Sequence, residues 1–204
     1  AVNDAPVVSD AGCTLDYNEG DGAHVIDADL TLTDVDNTDL ESATVTISSG
    51  FQSDQDVLAF TNTAEITGSW DSVNGILTLT GPATLAQFEA ALESVTYENT
   101  NTDQPNTADR TVSWVVNDGA LESAAGVTSV VTVAAVNDAP VVSDAGGTLT
   151  YAEGDGAQVI DATLTITDVD DTDLAQATVS ITGGFVDSED VLAFTDTAEI
   201  TGSW

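Results

Sequence analysis

Acidic residues cluster in one short segment that occurs twice in the chain. Residues 34–39 (DVDNTD) follow a predicted strand, and the segment returns at residues 168–173 as DVDDTD. Three carboxylates within six residues repel one another unless a cation lies between them, and hard divalent cations prefer oxygen ligands of this kind. The segment therefore predicts a cation-binding loop, whereas a solvated acidic turn is the plainer alternative.

Other oxygen-bearing side chains stand where strands or domains are predicted to end. They are Glu19, Glu98 with Asn99, the turn Asn117-Asp118-Gly119, and the pairs Asn3-Asp4 and Asn137-Asp138. Each position alone is weak, and an Asn-Asp-Gly sequence is equally typical of a turn that binds nothing. Because all of them lie at domain ends, ligands from two neighbouring domains could share a cation and stiffen the joint.

The chain contains an internal repeat with a period of 134 residues. Residues 1–12 recur unchanged at 135–146, residues 56–70 recur at 190–204 with one substitution, and 53 of the 70 overlapping positions are identical without a gap. A period of this length matches a self-sufficient domain rather than a solenoid unit. We therefore predict a complete repeat over residues 1–135 and the N-terminal half of a second repeat over residues 136–204.

The dominant pattern within a repeat is the alternation of apolar and polar residues, which is typical of half-buried strands. It is strongest in five segments rich in Val, Ile and Thr, residues 30–36, 43–48, 76–81, 110–116 and 127–133. Asn74-Gly75 predicts a hairpin turn, and residues 84–95 predict a short helix that begins with a Thr84/Gln87 capping box. The expected fold is all-β, a sandwich with one short helix per repeat.

The charge of the chain is almost entirely negative. Thirty-six Asp and Glu residues stand against a single basic residue, Arg110, for a formal charge of −35. Such a surface repels nucleic acids and anionic lipids. The sequence also contains no apolar run of about 18 residues, the length needed to span a bilayer. We therefore expect neither a nucleic acid nor a membrane as a partner. The same charge repels itself, and the folded state should therefore depend on multivalent cations or high salt.

Side chains suited to catalysis are scarce and are not shared between the two copies. His24 corresponds to Gln158 in the second copy, and Cys13 corresponds to Gly147. Chemistry common to both repeats would need groups that both copies retain. The sequence therefore predicts a protein without enzymatic activity.

Several of these segments are similar to motifs of cadherins. The junction VNDAP at residues 136–140 is similar to the cadherin linker, and Asp34-x-Asp36 and Asp168-x-Asp170 are similar to its D-x-D motif. Residues 95–98 (VTYE) are similar to the L-D-R-E motif, with Thr96 in place of its Asp. On these motifs the chain resembles the cadherin-like, Ig-like tandem repeats of giant bacterial surface adhesins of the RTX type.

This resemblance implies Ca²⁺ as the cation and the joint between repeats as its site. The ligands implied for the joint within this chain are Glu19, Glu98, Asn137, Asp138, Asp168 and Asp170. Those implied for a joint with a preceding repeat are Asn3, Asp4, Asp34, Asp36 and Asp118.

The function implied by the resemblance is that of a structural spacer in a calcium-dependent adhesin, secreted or at a bacterial cell surface, that serves cell adhesion or biofilm formation. Its partners would be neighbouring repeats of the same polypeptide. Two alternatives stay open at this point. The repeat could bind a glycan or a protein, or identical chains could form an extracellular filament in which a neighbour completes the half repeat.

Overall fold

The computed structural model describes residues 2–204. The chain divides into two compact units, Ala1–Asn137 and Asp138–Trp204. The division predicted from the repeat lies two residues earlier, between residues 135 and 136.

The first unit consists of short strands and one helix within its described residues. In chain order these elements are β1 (Val7–Ser9), β2 (Thr14–Asn18), β3 (His24–Val25), β4 (Thr31–Thr33), β5 (Asp39–Ser49), β6 (Asp56–Ala59), β7 (Thr67–Asp71), β8 (Ile76–Thr84), α1 (Leu85–Glu93), β9 (Thr96–Asn99), β10 (Arg110–Asn117) and β11 (Thr128–Ala134). The second unit contains β12 (Val141–Ser143) and β13 (Thr165–Thr167).

A six-stranded sheet forms one layer of the first unit, in the order β2-β11-β10-β5-β8-β7. Only the β11–β2 pair in it is parallel. The sheet β3-β9-β6 and the pair β1-β4 supply the facing side chains. Tyr17 of the large sheet and Tyr97 of the small one meet edge to face with ring centroids 5.2 Å apart, and both are buried in one continuous core. The predicted all-β sandwich is confirmed.

Alternation along the strands decides which side chains enter that core. In β10, Val112, Trp114 and Val116 are fully buried, whereas the residues between them are half-exposed. This period of two follows from the pleat of an extended chain. The predicted strand over residues 30–36 is shorter than expected, because residues 34–36 leave β4 and form a turn.

The predicted helix and hairpin are both confirmed. α1 starts at the Thr84/Gln87 capping box and buries Phe88, Ala91 and Leu92. β7 and β8 pair across the Asn74-Gly75 turn, where Gly75 has a φ of +71° and a Cβ would lie 2.9 Å from the ring of Phe51. Both the left-handed backbone and the close approach therefore require glycine there.

The second unit forms only part of this architecture. Its one strand pair, β12-β13, has the same register as β1-β4 shifted by 134 residues. Residues 173–183, the counterparts of β5, form no strand. In the first unit β5 lies between β8 and β10, and these two strands have no counterpart within residues 138–204. For the same reason Trp204, the counterpart of Trp70 in β7, lies outside any strand and is 63% exposed.

A buried ion pair crosses the core of the first unit. Arg110 Nε donates to both carboxylate oxygens of Asp56 at 3.1 Å, and both side chains are fully buried. The hydroxyl of Tyr97 donates to Asp56 Oδ1 at 2.7 Å, and Arg110 Nη1 donates to the carbonyls of Asn106 and Ala108. The single basic residue of the chain is thus used inside the protein rather than on its acidic surface.

Arg110→Met should lower the unfolding free energy of the first unit by about 3–5 kcal/mol, because it leaves Asp56 buried without a counter-charge. The double variant Asp56→Asn/Arg110→Met should recover part of this loss. Denaturant titration followed by near-ultraviolet circular dichroism measures both values. A cost below about 1 kcal/mol for the single variant would contradict this account of the pair.

Candidate cation-binding sites

Residues distant in sequence meet at the end of the first unit where the chain enters. Asn3 Nδ2 donates to Asp118 Oδ2 at 2.8 Å, and Asn37 Nδ2 donates to Asn3 Oδ1 at 3.2 Å. Asn3 and Asp118 are 115 positions apart. The entering segment is therefore fixed against the turn that follows β10.

The acidic loop of residues 34–39 lies at the same end. Asp34 Oδ1 accepts hydrogen bonds from the backbone amides of Asp36 and Asn37 at 3.0 and 2.9 Å, which is an Asx turn. The Asp36 carboxylate in turn accepts from the backbone amide of Asp4 at 3.3 and 3.4 Å. The structure thus brings together the five residues assigned to the joint with a preceding repeat, Asn3, Asp4, Asp34, Asp36 and Asp118.

One oxygen at this end has no partner. Asp34 Oδ2 is buried, and no described residue donates a hydrogen bond to it. A buried carboxylate oxygen without a donor is unfavourable, and a cation is one group that satisfies it. Hydrogen bonds from the backbone amide of Leu121 and from the Asn3 side chain hold the pKa of Asp118 below its ordinary value, so the Asp118 carboxylate is charged at neutral pH. The donor set therefore fits a hard cation.

Glu19 lies at the opposite end of the first unit. Its backbone amide donates to the carbonyl of Ala134 at 2.9 Å, and Glu19 Oε2 accepts from the backbone amide of Val136 at 2.9 Å. The other carboxylate oxygen, Oε1, is buried and has no hydrogen-bond partner among residues 2–204. Glu19 therefore fixes the exit of the chain. Asn137, three residues after the end of β11 at Ala134, is exposed.

Glu98 is half-buried in β9, opposite Val57 of β6. Burial raises the pKa of Tyr17, and the negative charge of Glu98 raises it further. Because Tyr17 is two residues before Glu19, Glu98 belongs to the same end of the first unit as Glu19.

The second unit repeats the acidic turn of the first. Asp168 Oδ1 accepts from the backbone amides of Asp170 and Asp171 at 3.0 Å each, and the backbone amide of Asp138 donates to Asp170 Oδ2 at 2.5 Å. The turn therefore forms even where most of the surrounding sheet is lacking. The joint predicted from Glu19, Glu98 and Asn137 with these residues of the second unit stays a prediction.

A third group of possible ligands, Cys13, Asp27 and Asp29, was not singled out by the sequence pattern. One ligand atom from each lies within 4.8 Å of the others. Hydrogen bonding and negative charge from Asp27 raise the pKa of the Cys13 thiol, which disfavours the thiolate that binds metals. The second copy has Gly147 and Thr163 in place of Cys13 and Asp29. This group is therefore a poor candidate for a site common to both repeats.

Asp27 instead has a structural role. Its Oδ2 accepts from the hydroxyl of Ser129 at 2.6 Å and from the backbone amides of Gly12 and Cys13, and Oδ1 accepts from the backbone amide of Asp29. Burial alone would raise the pKa of Asp27, but these four hydrogen bonds outweigh it and the pKa is lowered. Its counterpart Asp161 accepts bonds from the backbone amides of residues 146 and 147 in the same way.

Asp27→Asn should lower the unfolding free energy of the first unit by about 2–3 kcal/mol at neutral pH, because an amide cannot accept from all four donors. The folded-state pKa of Asp27 is depressed, so its contribution is complete above the unfolded pKa of about 3.9 and is lost as the pH falls below it. The difference in unfolding free energy between the natural chain and Asp27→Asn should thus shrink below about pH 4. A difference in unfolding free energy that is constant with pH would contradict this role. The control is Asp54→Asn, which changes an exposed aspartate.

Comparisons with known proteins give one limited similarity. No model of a known protein family matches this chain. Halomucin of Haloquadratum walsbyi is 33% identical to it over an alignment of 123 residues that covers 58% of this chain and 1% of Halomucin. Within residues 2–204, no helix is long and apolar enough to cross a membrane. The chain is thus similar to a small part of a very large protein, which is consistent with a repeat domain of a secreted or cell-surface protein.

Proposed function

We propose that this chain is a spacer repeat of a large extracellular adhesin and that Ca²⁺ at the ends of its domains makes the array stiff. The observation that carries the proposal is the meeting of Asn3, Asp34, Asp36 and Asp118 at one end of the first unit, where Asp34 Oδ2 is buried and has no partner among residues 2–204. The opposite end also has a buried carboxylate oxygen, Glu19 Oε1, that accepts no hydrogen bond from the described part of the chain. The Halomucin similarity supports the coarser part of the proposal, a repeat in a large surface protein.

In this proposal the carboxylates of Asp34, Asp36 and Asp118 and the amide oxygen of Asn3 hold an ion at the entry end. Glu19, Glu98 and Asn137 offer the ligands for one at the exit end. A bound divalent cation supplies positive charge and oxygen coordination that link side chains of adjacent domains. Asp34, Asp36 and Asp118 at the entry end already accept hydrogen bonds from the backbone, so little further ordering of them is needed when an ion binds.

Electrostatic repulsion between the carboxylates favours the binding of a cation. The formal charge of −35 opposes compaction, and cations bound between carboxylates remove part of that repulsion where it is densest. One part of the proposal rests on the cadherin-like motifs alone. It comprises adhesion, biofilm formation, a bacterial origin and membership of the RTX adhesins.

Two rival functions predict different behaviour. If the acidic residues form a solvated coat suited to a saline habitat, salt alone should stabilise the folded protein as well as calcium does. The name Halomucin gives this alternative some support. A glycan-binding module would need exposed aromatic side chains, whereas in the first unit Trp114 is fully buried and Trp70 packs edge to face on Phe51. The solvated coat is therefore the stronger rival.

Calcium should raise the midpoint of thermal unfolding by about 5–10 °C once its concentration is a hundredfold above the dissociation constant, because it binds the folded state alone. Magnesium should raise the midpoint less, since it loses its bound water reluctantly. Differential scanning calorimetry measures the midpoint in calcium, and the comparison is the midpoint in sodium chloride at equal ionic strength. An equal rise with sodium chloride would show that the carboxylates form a solvated coat.

Asp34→Asn tests the entry-end site with little disturbance of the fold. The Asn carbonyl oxygen can still accept from the amides of Asp36 and Asn37, so the turn is kept and only the charged ligand is lost. Calcium affinity at this end, measured by isothermal titration calorimetry, should fall roughly tenfold or more. Asp54→Asn removes the same charge from an exposed loop and should leave affinity unchanged. If both variants bind calcium equally, Asp34 is not a ligand.

A further inference from the structure

The six-stranded sheet of the first unit has two edge strands, β2 and β7. An edge strand presents backbone amides and carbonyls with which a strand of another molecule can pair, and a charged side chain within the strand opposes such pairing. β2 carries Asp16 at its centre, whereas the first four residues of β7, TGSW, contain no charge. The β7 edge therefore needs another form of protection.

The segment before β7 is hydrogen-bonded to this edge. Asn62 Oδ1 accepts from the backbone amide of Gly68 at 2.8 Å. An amide in β7 points either into the ladder with β8 or away from it, and the Gly68 amide faces the open edge, where Asn62 meets it. The Asn62 side chain thus takes the place that a carbonyl of an added strand would occupy. We call residues 60–66 the edge segment.

The edge segment has its own internal hydrogen bonds. Thr63 Oγ1 accepts from the backbone amides of Glu65 and Ile66 at 3.3 and 3.0 Å, and the amide of Thr63 donates to the carbonyl of Ile66 at 2.9 Å. Ile66 is fully buried and anchors the segment in the core. Asn62 is therefore held in position by a closed turn.

The ring of Phe60 covers the same point of β7. A Cβ on Gly68 would lie 3.0 Å from Phe60 Cδ1 and 3.4 Å from Leu79 Cδ2, so a side chain here would force its neighbours to shift. Phe60 is partly buried and packs against the core of the first unit. Glycine at position 68 thus allows the edge segment to lie close against the strand.

The same local contacts occur in the second unit. Asp196 Oδ1 accepts from the backbone amide of Gly202 at 2.8 Å, and a Cβ on Gly202 would lie 2.8 Å from Phe194 Cβ. Asp196 is the counterpart of Asn62, and both side chains offer the oxygen that this hydrogen bond requires. The arrangement is therefore encoded locally, and the acceptor oxygen is the chemical feature that the two copies share.

We propose that the edge segment is a built-in cap that prevents β7 from pairing with β7 of a second copy of this chain. The formal charge of −35 also keeps copies apart, but at 1 M salt the range of this repulsion falls to about 3 Å. A hydrogen-bonded cap does not depend on charge and remains effective in salt. The cap therefore matters most in concentrated salt. This inference does not rest on the proposed calcium sites.

Asn62→Ala tests the cap, because it removes the acceptor oxygen at an exposed position. In about 2 M sodium chloride, where repulsion is screened, the dissociation constant for self-association of the 204-residue variant should be roughly tenfold or more below that of the natural chain. Sedimentation velocity measures both constants, with a reductant present to keep the free thiol of Cys13 from forming disulfides. Equal association of the two chains would overturn the proposal.

Asn62→Asp is the matched control. It keeps an acceptor oxygen at the same position, as Asp196 does in the second unit, so in the same salt it should associate no more than the natural chain. If Asn62→Asp associates as strongly as Asn62→Ala, the acceptor is not what prevents pairing and the proposal fails.

Hydrogen exchange followed by NMR locates the contact. In monomeric Asn62→Ala the Gly68 amide should exchange roughly tenfold faster than in the natural chain, because its acceptor is lost. In the dimer the edge-facing amides of residues 67–71 should become protected by the added strand. An unchanged Gly68 rate in the monomer, or a dimer in which these amides stay unprotected, would each overturn the proposal.

Discussion

The position of β5 between β8 and β10 is the constraint on which the fold depends. A central strand needs neighbours on both edges, and both neighbours of β5 come from later in the repeat. The two units show the effect within one chain. Where both neighbours are present, β5 extends over eleven residues and its apolar side chains are buried. Where they have no counterpart, a closely similar sequence forms only the local pair β12-β13. Burial of the apolar face thus decides whether the strand exists.

Short acidic side chains are used throughout the protein to hold the backbone. Asp34 and Asp168 close turns by accepting two amides each, Asp27 joins two loops, and Asp56 receives the only arginine. An aspartate reaches nearby amides with little loss of side-chain freedom, and hydrogen bonds of this kind lower the pKa of Asp27 despite its burial. A chain of high negative charge therefore gains local order from the same groups that repel one another at long range.

The two ends of the first unit differ from its middle in what their carboxylates contact. The oxygens of Asp27 and Asp56 accept hydrogen bonds from protein donors, whereas Asp34 and Glu19 each keep one buried oxygen to which none of the described residues donates. A cation would add little at carboxylates whose oxygens already accept hydrogen bonds. It would stabilise Asp34 and Glu19 more, because it would coordinate an oxygen that lacks a donor. In the proposed function this difference, rather than the number of acids, favours the ends as cation sites, and stiffness is the property that an ion there would control.

Local patterns in the sequence determined the repeat, the alternating strands, the Thr84/Gln87 cap of the helix and the Asn74-Gly75 hairpin, because each depends on residues only a few positions apart. The motif residues Asn3, Asp34 and Asp118 could also be named as a group, although by resemblance to cadherins rather than by distance. Only the tertiary structure decided that Arg110 pairs with Asp56, 54 positions away, and that Ser129 donates to Asp27, 102 positions away. Sequence spacing carries no information about such contacts, since they form only when distant strands become neighbours in the sandwich.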